Sequence, residues 1–158
     1  LCNPAMSWFQ KLSDFSTVPI LNITTGTSKV VRDAGVEAVH LWGTHATYQC
    51  GIYEHQLNAS NIEIISHSAQ IQSTLDGVIS SVKRGQLTNF QDQLAEPINH
   101  LSHQNADIPV ILACTEFSLI FQNDSMGIPY VDSTDCLALR CLELAKVEHE
   151  NPEWLAQL

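Results

Sequence analysis

The sequence predicts an α/β fold: a parallel sheet with helices on both faces. Three observations predict it. Short apolar runs alternate with segments whose apolar residues recur every three to four positions. Glycines and short polar stretches punctuate the joins. One run, Ile108 to Ala113, is apolar throughout, as expected for a strand covered on both faces.

The elements follow in order along the chain. Val18 to Ile23 reads as a short strand, and Thr24 to Ala34 as a helix with Gly35 just past its end. Ala38 to Trp42 is a compact strand that runs into Gly43 and Thr44. The next segment places Ala46, Cys50, Tyr53 and Leu57 on one helical face, so Cys50 is expected in the core. Ile62 to Ile65 reads as a strand. Ile71, Leu75, Val78 and Val82 form a helical stripe that Gly85 ends. Phe90, Leu94, Ile98 and Leu101 form another, with Pro97 inside it, so a kink or two shorter helices are expected. Ile108 to Ala113 and Ile128 to Val131 are further strands. Asp132 can cap a helix from Ser133 to about Val147, which would bury Cys136 and Cys141. Pro152 suits the first turn of a short terminal helix.

Charge and cysteine content narrow the partners. Seventeen acidic residues against seven basic ones give a net charge of −10, which disfavours nucleic acid and anionic membranes. No apolar run approaches the ~20 residues that span a bilayer. No basic stretch followed by an apolar one opens the chain as in a secretory leader. Five cysteines without framework spacing point to a reducing compartment, so a cytoplasmic location is expected. His40, His45 and Cys50 are five apart, a spacing that suits neither a helix face nor a strand face, so no metal is expected there.

In parallel sheets, ligands sit beyond the carboxyl ends of the strands. That rule selects Cys2-Asn3, the turn from Gly43 to Thr47, and Cys114-Thr115-Glu116. A thiol at a strand end that faces a helix N-terminus meets free N–H donors. Cys114 is therefore expected to have a lowered pKa.

These motifs resemble those of the aspartate/glutamate racemase superfamily. Ala113-Cys114-Thr115-Glu116 is similar to the second cysteine motif of aspartate racemases, and Leu1-Cys2-Asn3-Pro4-Ala5-Met6 to the first. The two cysteines stand 112 positions apart, as across that family's second domain. Val18 to Ile23, Leu41 to Thr47, Gly51-Ile52-Tyr53 and Ile128 to Asp132 match the intervening segments in order.

The resemblance implies a two-lobed fold in which this chain lacks most of the first lobe. Residues 1–17 would be its remnant, 18–127 the second lobe, and 128–158 a closing strand and helices that return to the first. It implies racemisation without pyridoxal phosphate or any other cofactor. Cys2 and Cys114 would act as bases on opposite faces of an amino acid's α-carbon. Asn3, Thr44, Thr47 and Thr115 would bind the substrate, and Lys83 would hold the side-chain carboxylate of an aspartate-type substrate. Glu116, where glutamate racemases carry His, would stand behind Cys114. A homodimer is the implied assembly. Leu1, Pro4 and Met6 depart from the usual Pro, Thr and His of the first motif. That departure would mark an altered, more apolar substrate or a decay of activity, and two other readings stand beside the racemase: a racemase-like domain that only binds its ligand, and a related cysteine-dependent isomerase or decarboxylase of small diacids.

Overall fold

The computed structural model describes residues 3–86, 89–121, 127–146 and 152–158. Four parallel strands form one sheet in the order β2-β1-β3-β4: β1 (Ala38–Gly43), β2 (Glu63–Ile65), β3 (Val110–Ala113) and β4 (Tyr130–Asp132). Eight α-helices accompany it among the described residues. They are α1 (Phe9–Phe15), α2 (Ile23–Asp33), α3 (His45–Gln49), α4 (Glu54–Ala59), α5 (Ala69–Lys83), α6 (Phe90–Asn105), α7 (Thr115–Phe121) and α8 (Ser133–Ala145). Helix α2 packs against α4 and α8, whereas α5 packs against α6 and α7. The α/β class is as predicted.

The chain first crosses from β1 outward to β2, then returns past β1 to β3 and on to β4. Strand order therefore reverses between β1 and β3. Such a reversal splays the connecting helices to opposite faces and leaves a crevice at the strands' carboxyl ends. The register sets Gly43 beside Ala113, so Thr44 and Cys114 leave adjacent strands at the same level. Neighbouring strands lie about 4.8 Å apart, which puts the two motifs side by side.

Burial holds this arrangement. Trp42, Leu41, Ile111, Leu112, Phe117 and Phe121 are fully or almost fully buried. Each such side chain contributes about 1.5–3 kcal/mol over its exposed state. Trp42 meets the rings of Phe117 and Phe121 at 5.9 and 6.3 Å, which fixes α7 beneath the β3 exit.

Several local expectations change. Residues 18–22 form no strand. Val18 is exposed, and Asn22 instead caps α2 by accepting the Thr24 N–H at 2.9 Å. The cap satisfies a free N–H at the start of α2. The helix expected through Ala46 and Leu57 is split into α3 and α4, because Gly51 adopts φ +56° between them. Cys50 ends α3 facing solvent rather than core. Cys136 is buried as expected, but Cys141 is exposed, since it lies around the helix from the face that meets α2. Helix α6 runs as one element through a buried Pro97. One missing N–H there is offset by burying Leu94 and Leu101 on the same helix. Strand β4 pairs with β3, so one sheet includes strands on both sides of residue 127.

Candidate functional site

Cys114 is the first residue after β3 and directly precedes α7. It is buried, and its Sγ donates to Glu116 Oε2 at 2.8 Å. The same carboxylate oxygen accepts the Thr115 hydroxyl at 3.2 Å. Lys83, at the last turn of α5, brings its ammonium within 3.6 Å of Glu116 Oε1. Cys114, Thr115, Glu116 and Lys83, all selected from sequence, thus form one cluster. Lys83 reaches it through Glu116.

The electrostatics reverse one expectation. Burial first, and then the Glu116 carboxylate, push the Cys114 thiol up to about 12. The thiol was expected to be lowered by the helix start. Helix α7 has only seven residues, and a carboxylate at hydrogen-bond distance opposes thiolate formation more strongly than its dipole favours it. Burial alone would raise Glu116. The hydrogen bond from Cys114, the backbone, Lys83 and Thr115 together hold it below the ordinary glutamate value. In this state the thiol carries the proton and the carboxylate accepts it.

The β1 exit supplies the second part. Thr44 caps α3, its Oγ1 accepting the Thr47 N–H at 3.3 Å. The two threonine hydroxyls lie 3.1 Å apart, with Thr47 buried and Thr44 half-buried. Gly43 permits this closure: a Cβ there would lie 3.0 Å from Thr47 Cβ. His45, within the turn, is exposed, and its backbone N–H goes to Asp76.

Asn3 is completely buried and fully engaged. Its amide donates to Ser133 Oγ at 3.1 Å, and its carbonyl accepts the Tyr53 hydroxyl. Ser133 in turn donates to the Leu112 carbonyl at 2.7 Å. Asn3 therefore ties the start of the chain to the end of β3, two residues before Cys114. Its polar atoms are committed to the protein. Cys2 lies outside the described residues.

Residues 1–141 match the family described as Asp/Glu/hydantoin racemase. The chain belongs to that family. The broad-specificity amino-acid racemase RacX of Bacillus subtilis (strain 168) is 30% identical over 137 residues, covering 87% of this chain and 59% of the relative. Among solved structures, the Picrophilus torridus aspartate racemase matches with a TM-score of 0.82 at 28% identity, covering 99% of this chain and 65% of that one. The glutamate racemase of Francisella tularensis, solved with D-glutamate, shares the fold with a TM-score of 0.69 at 18% identity. It is covered to 60%, so this racemase-family chain spans about three fifths of the length of these relatives.

Two partners of the site escaped sequence reasoning. Ser133 and Tyr53 hold Asn3, yet each reads along the chain as an ordinary cap or core residue. The Asp132-Ser133 pair after the last strand was the available signal, since Asp132 alone caps α8 through Thr134 and Asp135. One concavity lies away from these residues. A cavity of about 390 Å³ sits between α2, α8 and the C-terminal turn, lined by Gly26, Val30, Cys136, Leu139 and Leu155. Cys114 does not line it.

Proposed function

We propose that this protein is a cofactor-independent amino-acid racemase of aspartate type that moves the α-proton between Cys2 and Cys114. The observation that carries the reading is the Cys114 Sγ–Glu116 Oε2 hydrogen bond of 2.8 Å at the exit of β3. It sits beside the Thr44–Thr47 turn at the sheet's switch point.

An α-proton is a weak acid, so the carbanion must meet a proton donor at once on the opposite face. A buried thiol that holds its proton suits the donor role. In one direction, Cys2 as thiolate removes the α-proton and Cys114 delivers its own to the other face, leaving a Cys114 thiolate. Glu116 orients the thiol and keeps Lys83 near, so charge forming at sulfur meets an ammonium. In the reverse direction the Cys114 thiolate abstracts and Cys2 donates. Thr115 and the threonines of the β1 turn would hold the α-carboxylate. Lys83, half-exposed, would shift from Glu116 to a substrate's side-chain carboxylate. Asn3 would act by positioning Cys2, since its amide is committed to Ser133.

The name of the Bacillus relative gives broad specificity and that of the Picrophilus structure gives aspartate, which supports an amino-acid substrate with aspartate as first choice. The reading places the active site in a cleft between this α/β lobe and a first lobe. It includes a homodimer in a reducing, cytoplasmic setting. Cys50, Cys114, Cys136 and Cys141 are unpaired, and no helix among the described residues is long and apolar enough to cross a membrane.

The test is incubation with L- and D-aspartate, then other amino acids, in deuterated water, followed by chiral analysis. The expected result is inversion with α-deuteration and no added cofactor, lost in both Cys2→Ser and Cys114→Ser. Undiminished inversion in Cys2→Ser would overturn the two-base scheme. Tight binding of an amino acid with no proton exchange would make the chain a binding relative.

A further inference from the structure

Strand β2 stops at Ile65, opposite His40, whereas β1 runs on to Gly43. Backbone groups alternate sides along a strand. Glu37 offers its carbonyl to Glu63 on the β2 side, and His40 turns its N–H to Pro109 on the β3 side. The carbonyls of Leu41 and Gly43 therefore point toward β2, past its end. Buried carbonyls without strand partners must be satisfied otherwise.

Three side chains do so in one connected chain. The Tyr48 hydroxyl donates to the Leu41 carbonyl and lies 2.9 Å from His67 Nδ1. His67 Nε2 lies 3.0 Å from Gln72 Oε1, and Gln72 Nε2 donates to the Gly43 carbonyl at 3.0 Å. The Gln72 amide nitrogen is thus committed to Gly43, so its oxygen needs a proton from His67 Nε2. The neutral imidazole meets that need with its single N–H, which leaves Nδ1 as an acceptor that shares the one Tyr48 hydroxyl proton with the Leu41 carbonyl. Gln72 is buried, and the Tyr48 and His67 rings meet edge to face at 4.8 Å.

We propose that Tyr48, His67 and Gln72 are positioning residues that fix the Gly43–Thr47 turn, and through it the threonine hydroxyls that receive the substrate carboxylate. This rests on the racemase reading for the turn's role, but the bonds to β1 do not depend on it. Gly43 precedes Thr44, so an anchored Gly43 carbonyl sets the direction in which the Thr44 hydroxyl leaves the strand. Gly43 also packs close to Thr47, where an added Cβ would lie 3.0 Å from the threonine's own Cβ. His67 makes the two anchors act together: it connects the Tyr48 clamp on Leu41 to the Gln72 clamp on Gly43.

The experiment compares wild type with Gln72→Leu, His67→Leu and the milder Tyr48→Phe, which deletes only a hydroxyl. Amide hydrogen exchange is read across residues 43–48 and across β3. The expected result is exchange in the turn faster by about tenfold, the size of one lost hydrogen bond, with β3 unchanged. Given racemase activity, KM for aspartate rises while kcat stays within about twofold, as for a lost carboxylate contact common to ground and transition states. Unchanged exchange in the turn in all three variants overturns the proposal. So does faster exchange spread evenly over the sheet, or a fall in kcat at constant KM. Should the wild type racemise nothing, the function fails while the exchange result still decides this inference.

Discussion

At the residue scale, burial moves two titratable groups in opposite directions, disfavouring the charged form of each. Cys114 is raised to about 12 by burial and by Glu116. Replacing Glu116 with Gln removes the negative charge and the proton acceptor, so the thiol should ionise at lower pH. We expect Glu116→Gln to alkylate faster at Cys114 with iodoacetamide near pH 8, read by peptide mass spectrometry, yet to racemise more slowly. Slower alkylation would mean that Glu116 activates the thiol directly. His40 is buried with neither ring nitrogen hydrogen-bonded, and burial, then His100 and His67, lower it to about 4. An unfolded histidine titrates near 6.5, so the unfolded chain takes up a proton that the folded one refuses. The stabilisation is whole above pH 6.5 and is lost as pH falls toward 4. It amounts to about 3 kcal/mol. Urea unfolding at pH 7 and pH 4.5 should show this loss in wild type but not in His40→Leu. Equal pH dependence in both would assign acid sensitivity to other groups.

At the element scale, the strand exits and helix caps carry the precision. Gly43→Ala would set a Cβ 3.0 Å from both Cβ and Cγ2 of the buried Thr47. Overpacking at a site this enclosed costs about 1–3 kcal/mol. The variant should melt earlier and bind substrate more weakly, which thermal unfolding and KM would show. Asp132 caps α8 through Thr134 and Asp135 and also accepts the Ser118 hydroxyl at 2.9 Å. Asp132→Ala should cost roughly 1–2 kcal/mol, the usual range for a lost cap. By contrast, Cys50→Ser and Cys141→Ser change exposed positions, and unfolding free energies within about 0.5 kcal/mol of wild type are expected.

At the scale of the whole molecule, one sheet joins strands on both sides of residue 127. Strand β4 pairs with β3, and α8 packs on α2 while Ser133 holds the Leu112 carbonyl and Asn3. A chain ended at residue 127 would lose all of these. It should show no cooperative urea transition by circular dichroism; a sharp transition would mean that residues up to 127 fold without these contacts. The exposed side chains of Trp8, Leu12, Phe15 and Val18 lie together in sequence at α1, away from this core.

The α/β class, the three strand-end motifs and the family resemblance can be read along the chain, because each is local. Apolar runs mark buried strands, glycines mark helix ends, and Cys114-Thr115-Glu116 is contiguous. The Gly35 and Gly85 stops were legible since both need the left-handed conformation that the structure gives them. The rest arises from contacts made in the folded chain. Whether residues 18–22 pair depended on a neighbouring strand, which no local pattern supplies. The splitting of α3 from α4 depended on the Gly51 backbone, and the exposure of Cys50 on that split. The direction of the Cys114 shift followed from how deeply β3 is buried and from where the Glu116 carboxylate points. The bonds from Asn3 to Ser133 and from Gln72 to Gly43 span 130 and 29 positions. Contacts that long in sequence exist only once the sheet has brought the strand ends together.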